Sequence, residues 1–389
     1  MKILDAAALT LLATAFSAQL HAQQAFYGDP PDEHHPWAIH DHNRPQPPRV
    51  EPAKNGGAPS DAIILFSGKD LKENWLATKK PGGPALWDVV DGNILQCKPG
   101  TGDIITKEQF GDCQLHIEWA APTEIKGTSQ GRGNSGVFFM GMTEVQILDN
   151  YNNPTYADGF AGSVYGVNPP MANALNKPGE FNSYDIIFRR PIFKDGKEIH
   201  PGYVTVFCNG VLIQDHTPLE GGGGHRGRSK PRPFPEKGPL KLQDHGNKTQ
   251  FRNIWYRPLP PRSIEGGTNG KLTPEAATAK RKEIAADIRK HAEQLLADGE
   301  EKDGALRLME SLIYDNDPEI AARVIKLAEE GMEELKQASS EDLEEHKGEI
   351  MQVRNAFNYM VKHKFFPADF GPKKTVDKVI DDQGWNKKK

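Results

Sequence analysis

Two stretches of the chain alternate polar and apolar residues in a way that could assemble a proton-transfer site. If Gln114 to Trp119 is extended, Gln114, His116 and Glu118 project to one side and Leu115, Ile117 and Trp119 to the other. Glu144 and Gln146 likewise share a face, with Val145 and Ile147 opposite. If the apolar sets fill a core, the polar sets line the outer face of one sheet. A solvated surface gives the same alternation. Two carboxylates beside amides and a histidine also suit sugar binding with acid–base chemistry. A divalent cation held by Glu118, Glu144, His116 and His245 is a further option, its type not legible from residue types.

The elements that must position these residues are strands. Trp87 and Val89 lead through Asp91-Gly92 into Ile94 and Leu95. Val204, Val206 and Cys208 lead through Asn209-Gly210 into Val211 to Ile213. Both turn pairs are strong hairpin signals. Further strands are expected at Gln114 to Trp119, Gly136 to Met140, Glu144 to Leu148, Tyr184 to Phe188 and Phe251 to Tyr256. No amphipathic helix separates them, which disfavours a helix-crossed parallel sheet and predicts a mainly β antiparallel sandwich over residues 61–260. Two long interruptions, 149–182 and 215–239, are of a length that is usually functional or disordered. Tyr151, Tyr156, Phe160 and Tyr165 favour order in the first; Gly221 to Gly224, followed by His225, Arg226 and Arg228, suggest mobility in the second.

The flanks read differently. Residues 1–22 have the basic start, short apolar run and small residue of a secretory signal, with Asp5 an exception to the pattern; the run is too short for a membrane span. A soluble, secreted or periplasmic bacterial protein follows from it. Residues 23–60 carry eight prolines and His34, His35, His40 and His42. Proline there prevents regular structure, and the histidine spacing fits no closed zinc site, so an extended arm lying on the following domain is expected. After a linker at 261–272, residues 273–389 take on helical spacing, opening with Thr273-Pro274 as cap and first helical position. Helices are expected over Leu306 to Tyr314, Pro318 to Gln337 and Glu341 to Val361. These helices fit a docking, spacer or homo-oligomerising role. With 48 basic and 53 acidic residues in 389 the net charge is −5, which disfavours nucleic acid as a partner. Three cysteines, Cys97, Cys113 and Cys208, allow at most one disulfide.

The ordered series Leu65-Phe66-Ser67-Gly68-Lys69-Asp70-Leu71 with Trp75, Gly133-Asn134-Ser135-Gly136-Val137, Glu144-Val145-Gln146-Ile147-Leu148-Asp149, Tyr165-Gly166 with Pro169-Pro170, Gly179-Glu180-Phe181-Asn182, Asn209-Gly210, Leu242-Gln243-Asp244-His245-Gly246 and Phe251-Arg252-Asn253-Ile254-Trp255 resembles the 3-keto-disaccharide hydrolase domain family. The resemblance covers about half the chain. It implies a concanavalin-like jelly roll and a glycoside or oligosaccharide substrate whose glucosyl unit carries a ketone at C3. That ketone acidifies the C2 hydrogen. A base can then remove it, the enolate can expel the C1 aglycone, and water can add back. Such a site needs a base, donors around the C3 oxygen and an acid at the glycosidic oxygen. Glu144 is the candidate base and His245 the candidate acid or enolate donor. Asn134, Gln146 and Arg252 are candidate oriented donors, Tyr165 a phenol or stacking surface, and Glu118, Trp119 and Tyr151 further substrate contacts. Phe181 departs from the Trp more common in the family, which puts sugar stacking there in question.

Structural roles compete for several of these residues. Asn134 fits a turn, Arg252 could pin the last strand, His245 precedes a bend, and Asp149 fits a loop cap. Two other functions also fit. Retaining glucanases of this shape carry Glu-x-Asp-x-(x)-Glu on one strand, whereas this chain has Glu144-x-Gln146-x-x-Asp149, with Gln in the middle and Asp149 on the wrong face unless a bulge intervenes. A non-catalytic carbohydrate-binding module would need only aromatic surfaces and planar amides.

Overall fold

A computed structural model describes residues 25–54, 56–69, 71–260, 262 and 271–386. The expected leader at 1–22, most of the expected linker and residues 387–389 lie outside the described residues. The chain divides into two compact units, residues 48–264 and residues 1–47 with 265–389.

The first unit is the expected antiparallel sandwich. Its strands are β1 (Ile63–Phe66), β2 (Trp75–Ala77), β3 (Asp88–Val90), β4 (Ile94–Gln96), β5 (Ile104–Phe110), β6 (Cys113–Ala120), β7 (Ser135–Phe139) and β8 (Thr143–Ile147). They continue with β9 (Asn182–Arg189), β10 (Ile192–Lys194), β11 (Lys197–His200), β12 (Tyr203–Cys208), β13 (Val211–Pro218), β14 (Gly238–Leu242) and β15 (Gln250–Pro258). A single helical turn, α1 (Leu71–Asn74), precedes β2. One sheet runs β13-β12-β9-β6-β15-β4-β3, with β1 also paired to β15; the other runs β2-β5-β14-β7-β8. The Asn209-Gly210 turn has the two positive φ angles, 52° and 79°, that match the twist of a two-residue hairpin.

Alternation decides which side chains meet. Leu115, Ile117, Tyr184, Ile186, Phe188 and Phe251 from the larger sheet share one buried core with Val137, Phe139, Val145, Ile147, Leu240 and Leu242 from the smaller. Phe139 stacks on Phe188 at 4.5 Å between ring centres, a contact that ties the two sheets. Trp119 lies in this core, 1% exposed, so the expectation that it touches substrate fails: it sits on the apolar side of β6. Cys97, Cys113 and Cys208 are free and buried.

The two polar stripes do not share a sheet. His116 and Glu118 belong to the larger sheet, Glu144 and Gln146 to the smaller, and the core lies between those sheets. The proposed cation set Glu118, Glu144, His116 and His245 is therefore not brought together. Around Glu118 the partners are internal. Arg252 Nε donates to its carboxylate at 2.6 Å and Asn253 Nδ2 at 2.9 Å. His116 Nδ1 lies 2.7 Å from Asp185 Oδ1. Asn253 also donates to the Gly56 carbonyl, fastening the chain before β1 to this face.

The second unit contains α2 (Pro274–Ala297), α3 (Glu301–Tyr314), α4 (Pro318–Gln337), α5 (Ser340–Glu345), α6 (Lys347–Lys362) and α7 (Gly371–Asp382). Thr273 caps α2 as its sequence indicates. The helix expected from Glu341 is interrupted at His346, where α5 ends and α6 begins. Residues 25–47, expected as an arm on the following domain, belong to this helical unit. Phe26 meets Tyr359 edge-on, Asn43 donates to the buried Glu310, and the Tyr314 hydroxyl donates to Asp41 at 2.6 Å. A buried carboxylate paired with Arg307 leaves few alternatives for a partner, and the arm supplies one. Among the described residues no helix is long and apolar enough to cross a membrane.

Candidate active site

A cavity lies on the outer face of the smaller sheet. Its floor follows from strand register: Lys241 on β14 pairs with Phe138 on β7, which pairs with Glu144 on β8, so the three stand in a row on one face. One step along, Gly136 pairs with Gln146. A Cβ at Gly136 would sit 2.2 Å from Glu144 Oε1 and 2.8 Å from the Phe138 ring. The missing side chain is thus the space in which the Glu144 carboxyl lies.

The two long interruptions form the walls. The cavity, about 540 Å³, is lined by Gln130, Asn134, Phe138, Met142, Glu144, Gln146, Tyr156, Tyr165, Gly222, Gly223, Gly224, His225, Gln243 and His245. That size suits a small ligand. The glycine run is packed, not loose. A Cβ at Gly223, where φ is +88°, would lie 2.2 Å from the Tyr165 carbonyl, and one at Gly222 would lie 2.7 Å from the Met142 carbonyl. Bare backbone lets this strip lie against its neighbours and brings His225 to the Tyr165 hydroxyl at 3.2 Å. Tyr165 also meets the Tyr156 hydroxyl at 2.7 Å.

Burial pushes the Glu144 carboxyl up to about 8, against the pull of the Lys241 ammonium and with the Asp103 carboxylate adding to the rise. Lys241 is held 3.1 Å from Asp103 and 3.7 Å above the Phe138 ring. Burial, and the hydrogen bond with Tyr156, also push the Tyr165 phenol up, so it stays protonated as a donor. The turn carrying His245 is fixed by Asp244, whose N–H donates to Asp103 at 2.9 Å and whose carboxylate accepts from the N–H groups of Gly102 and Gly246.

Of the residues singled out from sequence, Glu144, His245, Asn134, Gln146 and Tyr165 line this cavity. Asn134 and Gln146 are buried with their amide NH2 groups turned to Gln130: Asn134 Nδ2 donates to its carbonyl at 2.7 Å, and Gln146 Nε2 to its side-chain oxygen at 3.0 Å. Gln130 in turn donates to Thr155 and to the Gly159 carbonyl. The pair therefore positions the wall. Arg252 and Glu118 sit in the network on the larger sheet, and Phe181 lies 3.9 Å under the Arg252 guanidinium, occupied by it. Tyr151 is outside the lining because its backbone is tied to Asp149 and Arg132. Asp149 itself is 4% exposed and paired with Arg132 at 2.7 Å.

Gln130, Tyr156, Gln243, His225 and Phe138 also line the cavity without having been expected as site residues; Tyr156 and His225 stood out only as signs of order and mobility in the two long loops. Gln130 lies in a short 3-10 turn, Ser129–Gly131, where no periodicity marks it. Phe138 was recoverable, since it alternates with Val137 and Phe139 on β7.

A carboxyl of raised affinity for its proton, phenols, imidazoles and amides around a sandwich-face cavity are groups suited to binding a polar ligand and moving protons on it. The chain belongs to the family described as the 3-keto-alpha-glucoside-1,2-lyase-like domain, whose sequence profile matches residues 61–257, just over half of its length. A crystal structure from Parabacteroides distasonis ATCC 8503, titled "putative glycosyl hydrolase", is 49% identical, with a TM-score of 0.53 over 56% of this chain and 93% of that one. A second structure from that organism with the same description is 22% identical, with a TM-score of 0.37, over 55% of this chain and 100% of its own. A search of curated proteins finds no significant match.

Proposed function

We propose that the chain cleaves 3-keto-glucosides by proton abstraction at C2, elimination of the aglycone and hydration, with Glu144 as the base. The observation that carries this is one carboxyl alone among the lining residues, set among amides, phenols and imidazoles and pushed by burial up to about 8. A base in that range is matched to a carbon acid beside a ketone near neutral pH. Tyr165 donates to the C3 oxygen as charge builds there, and His245, on the rim, protonates the departing glycosidic oxygen. The C2 proton passes to Glu144, the C1–O bond breaks, and the aglycone oxygen gains a proton. Water then supplies hydroxyl at C1 and a proton at C2.

A retaining glucanase would need a second carboxyl about 5 Å from the first. Asp149, the candidate from sequence, is engaged by Arg132 and does not line the cavity. The leader-like residues 1–22 support export, to the periplasm or beyond. Incubation with a 3-keto-glucoside and with its parent glucoside tests the reading. Cleavage of the oxidised sugar alone is expected. Cleavage of the parent would replace this mechanism with the glucanase one, and tight binding of either without turnover would leave a binding module.

A further inference from the structure

We propose that Tyr156 is the platform on which the aglycone stacks, so that the site prefers glycosides whose leaving group presents a flat ring face over those with a small alkyl group. The inference rests on the cavity being a 3-keto-glycoside site. Tyr156 lines the cavity and is 47% exposed, so its ring is open to a ligand there. Its ring is not free to move away. The hydroxyl is held by Tyr165 at 2.7 Å, and one edge rests on the backbone of Gly159, where a Cβ would lie 2.1 Å from Cε2. Gln130 closes that corner by donating to the Gly159 carbonyl at 2.9 Å. An aromatic ring fixed before the ligand arrives loses little entropy on stacking.

Direction follows from the reaction. Glu144 stands on the strand floor, so the sugar ring has to enter first for its C2 hydrogen to reach the carboxyl. The aglycone must leave, so it lies toward the opening, where the exposed Tyr156 stands immediately before the 3-10 turn Ala157–Gly159. An aryl ring and a second pyranose share the flat face that such a platform recognises.

The test uses the full chain and three 3-keto-glucosides, with methyl, phenyl and glucosyl aglycones. Tyr156→Ala should lower the preference in kcat/KM for phenyl or glucosyl over methyl by about tenfold, chiefly through KM, whereas Tyr156→Phe should keep that preference. A change confined to phenyl identifies aryl glycosides as the fitted class; one confined to glucosyl identifies disaccharides. An equal loss on all three substrates, or a Tyr156→Phe loss as large as that of Tyr156→Ala, would overturn the platform and leave the hydroxyl as a positioning group for Tyr165. If the wild type cleaves none of the three, the assigned reaction fails. Calorimetric binding of the same ligands to wild type and Tyr156→Ala then decides the platform alone.

Discussion

Glu144→Gln should make the protein more stable at alkaline pH while removing its activity. Burial raises the Glu144 carboxyl from an ordinary 4.5 to about 8. Below 4.5 the group is protonated whether the chain is folded or unfolded, so it makes no demand on stability. Between 4.5 and 8 the unfolded chain releases the proton and the folded chain keeps it, so stability falls as pH rises. Above 8 both forms are ionised and the loss is complete. The difference, 8 minus 4.5, corresponds to a ceiling of about 5 kcal/mol. Glutamine is neutral throughout and never meets this penalty. Urea denaturation followed by tryptophan fluorescence, run from pH 4 to 9.5, should give similar midpoints for wild type and variant at the acid end. Toward pH 9.5 the variant should become progressively more resistant. Trp75, Trp87, Trp119 and Trp255 are buried in the sandwich and report its unfolding. Parallel curves over the whole range would mean that the carboxyl is not desolvated, and the case for a tuned base would go with it.

Three further outcomes follow from the geometry. Gly136→Ala should lower kcat/KM at least tenfold with the fold intact by circular dichroism, because the new methyl takes the place of the Glu144 carboxyl and that flexible end can move. The pH–rate profile should rise toward a limb near 8 as the base ionises. Lys241→Met should shift that limb upward by removing the cation that opposes burial, and Asp103→Asn should shift it downward. Residues 48–264 expressed alone should keep turnover, since every lining residue falls between 130 and 245; loss of turnover in a folded fragment would assign the helical unit a part in the site.

The sandwich was legible because its strands alternate strictly. β6, β9 and β12 show buried and half-exposed residues in turn, and the two hairpin turns carry the residue pairs their φ angles need. Less visible were β5 and β14. Ile104 to Phe110 has Lys107, Glu108 and Gln109 in succession, and β14 begins Gly238-Pro239, so neither alternates polar and apolar residue types over its length, although burial does alternate along β14. Glu144 could be found from its flanking apolar residues. Which polar stripe formed the cavity could not, because alternation fixes the face of a strand but not the sheet it joins; that choice depends on long-range pairing such as β7 with β14. The lip residues were hidden for a related reason. Tyr156 and His225 sit in loops whose course is set by backbone packing of glycines against distant carbonyls, a contact with no local signature. The arm at 25–47 was misplaced because its partners, Glu310 and Tyr314, lie more than 260 residues further along the chain.

The central claim is that Glu144 takes the hydrogen from C2 of a ketone-bearing sugar. Deuterium oxide exposes that step directly: a 3-keto-glucoside turned over in it by the wild type should yield product with deuterium at C2, and Glu144→Gln should neither exchange that position nor release aglycone while still binding the sugar. Cleaved product carrying only protium at C2, or exchange by Glu144→Gln at the wild-type rate, would contradict the account.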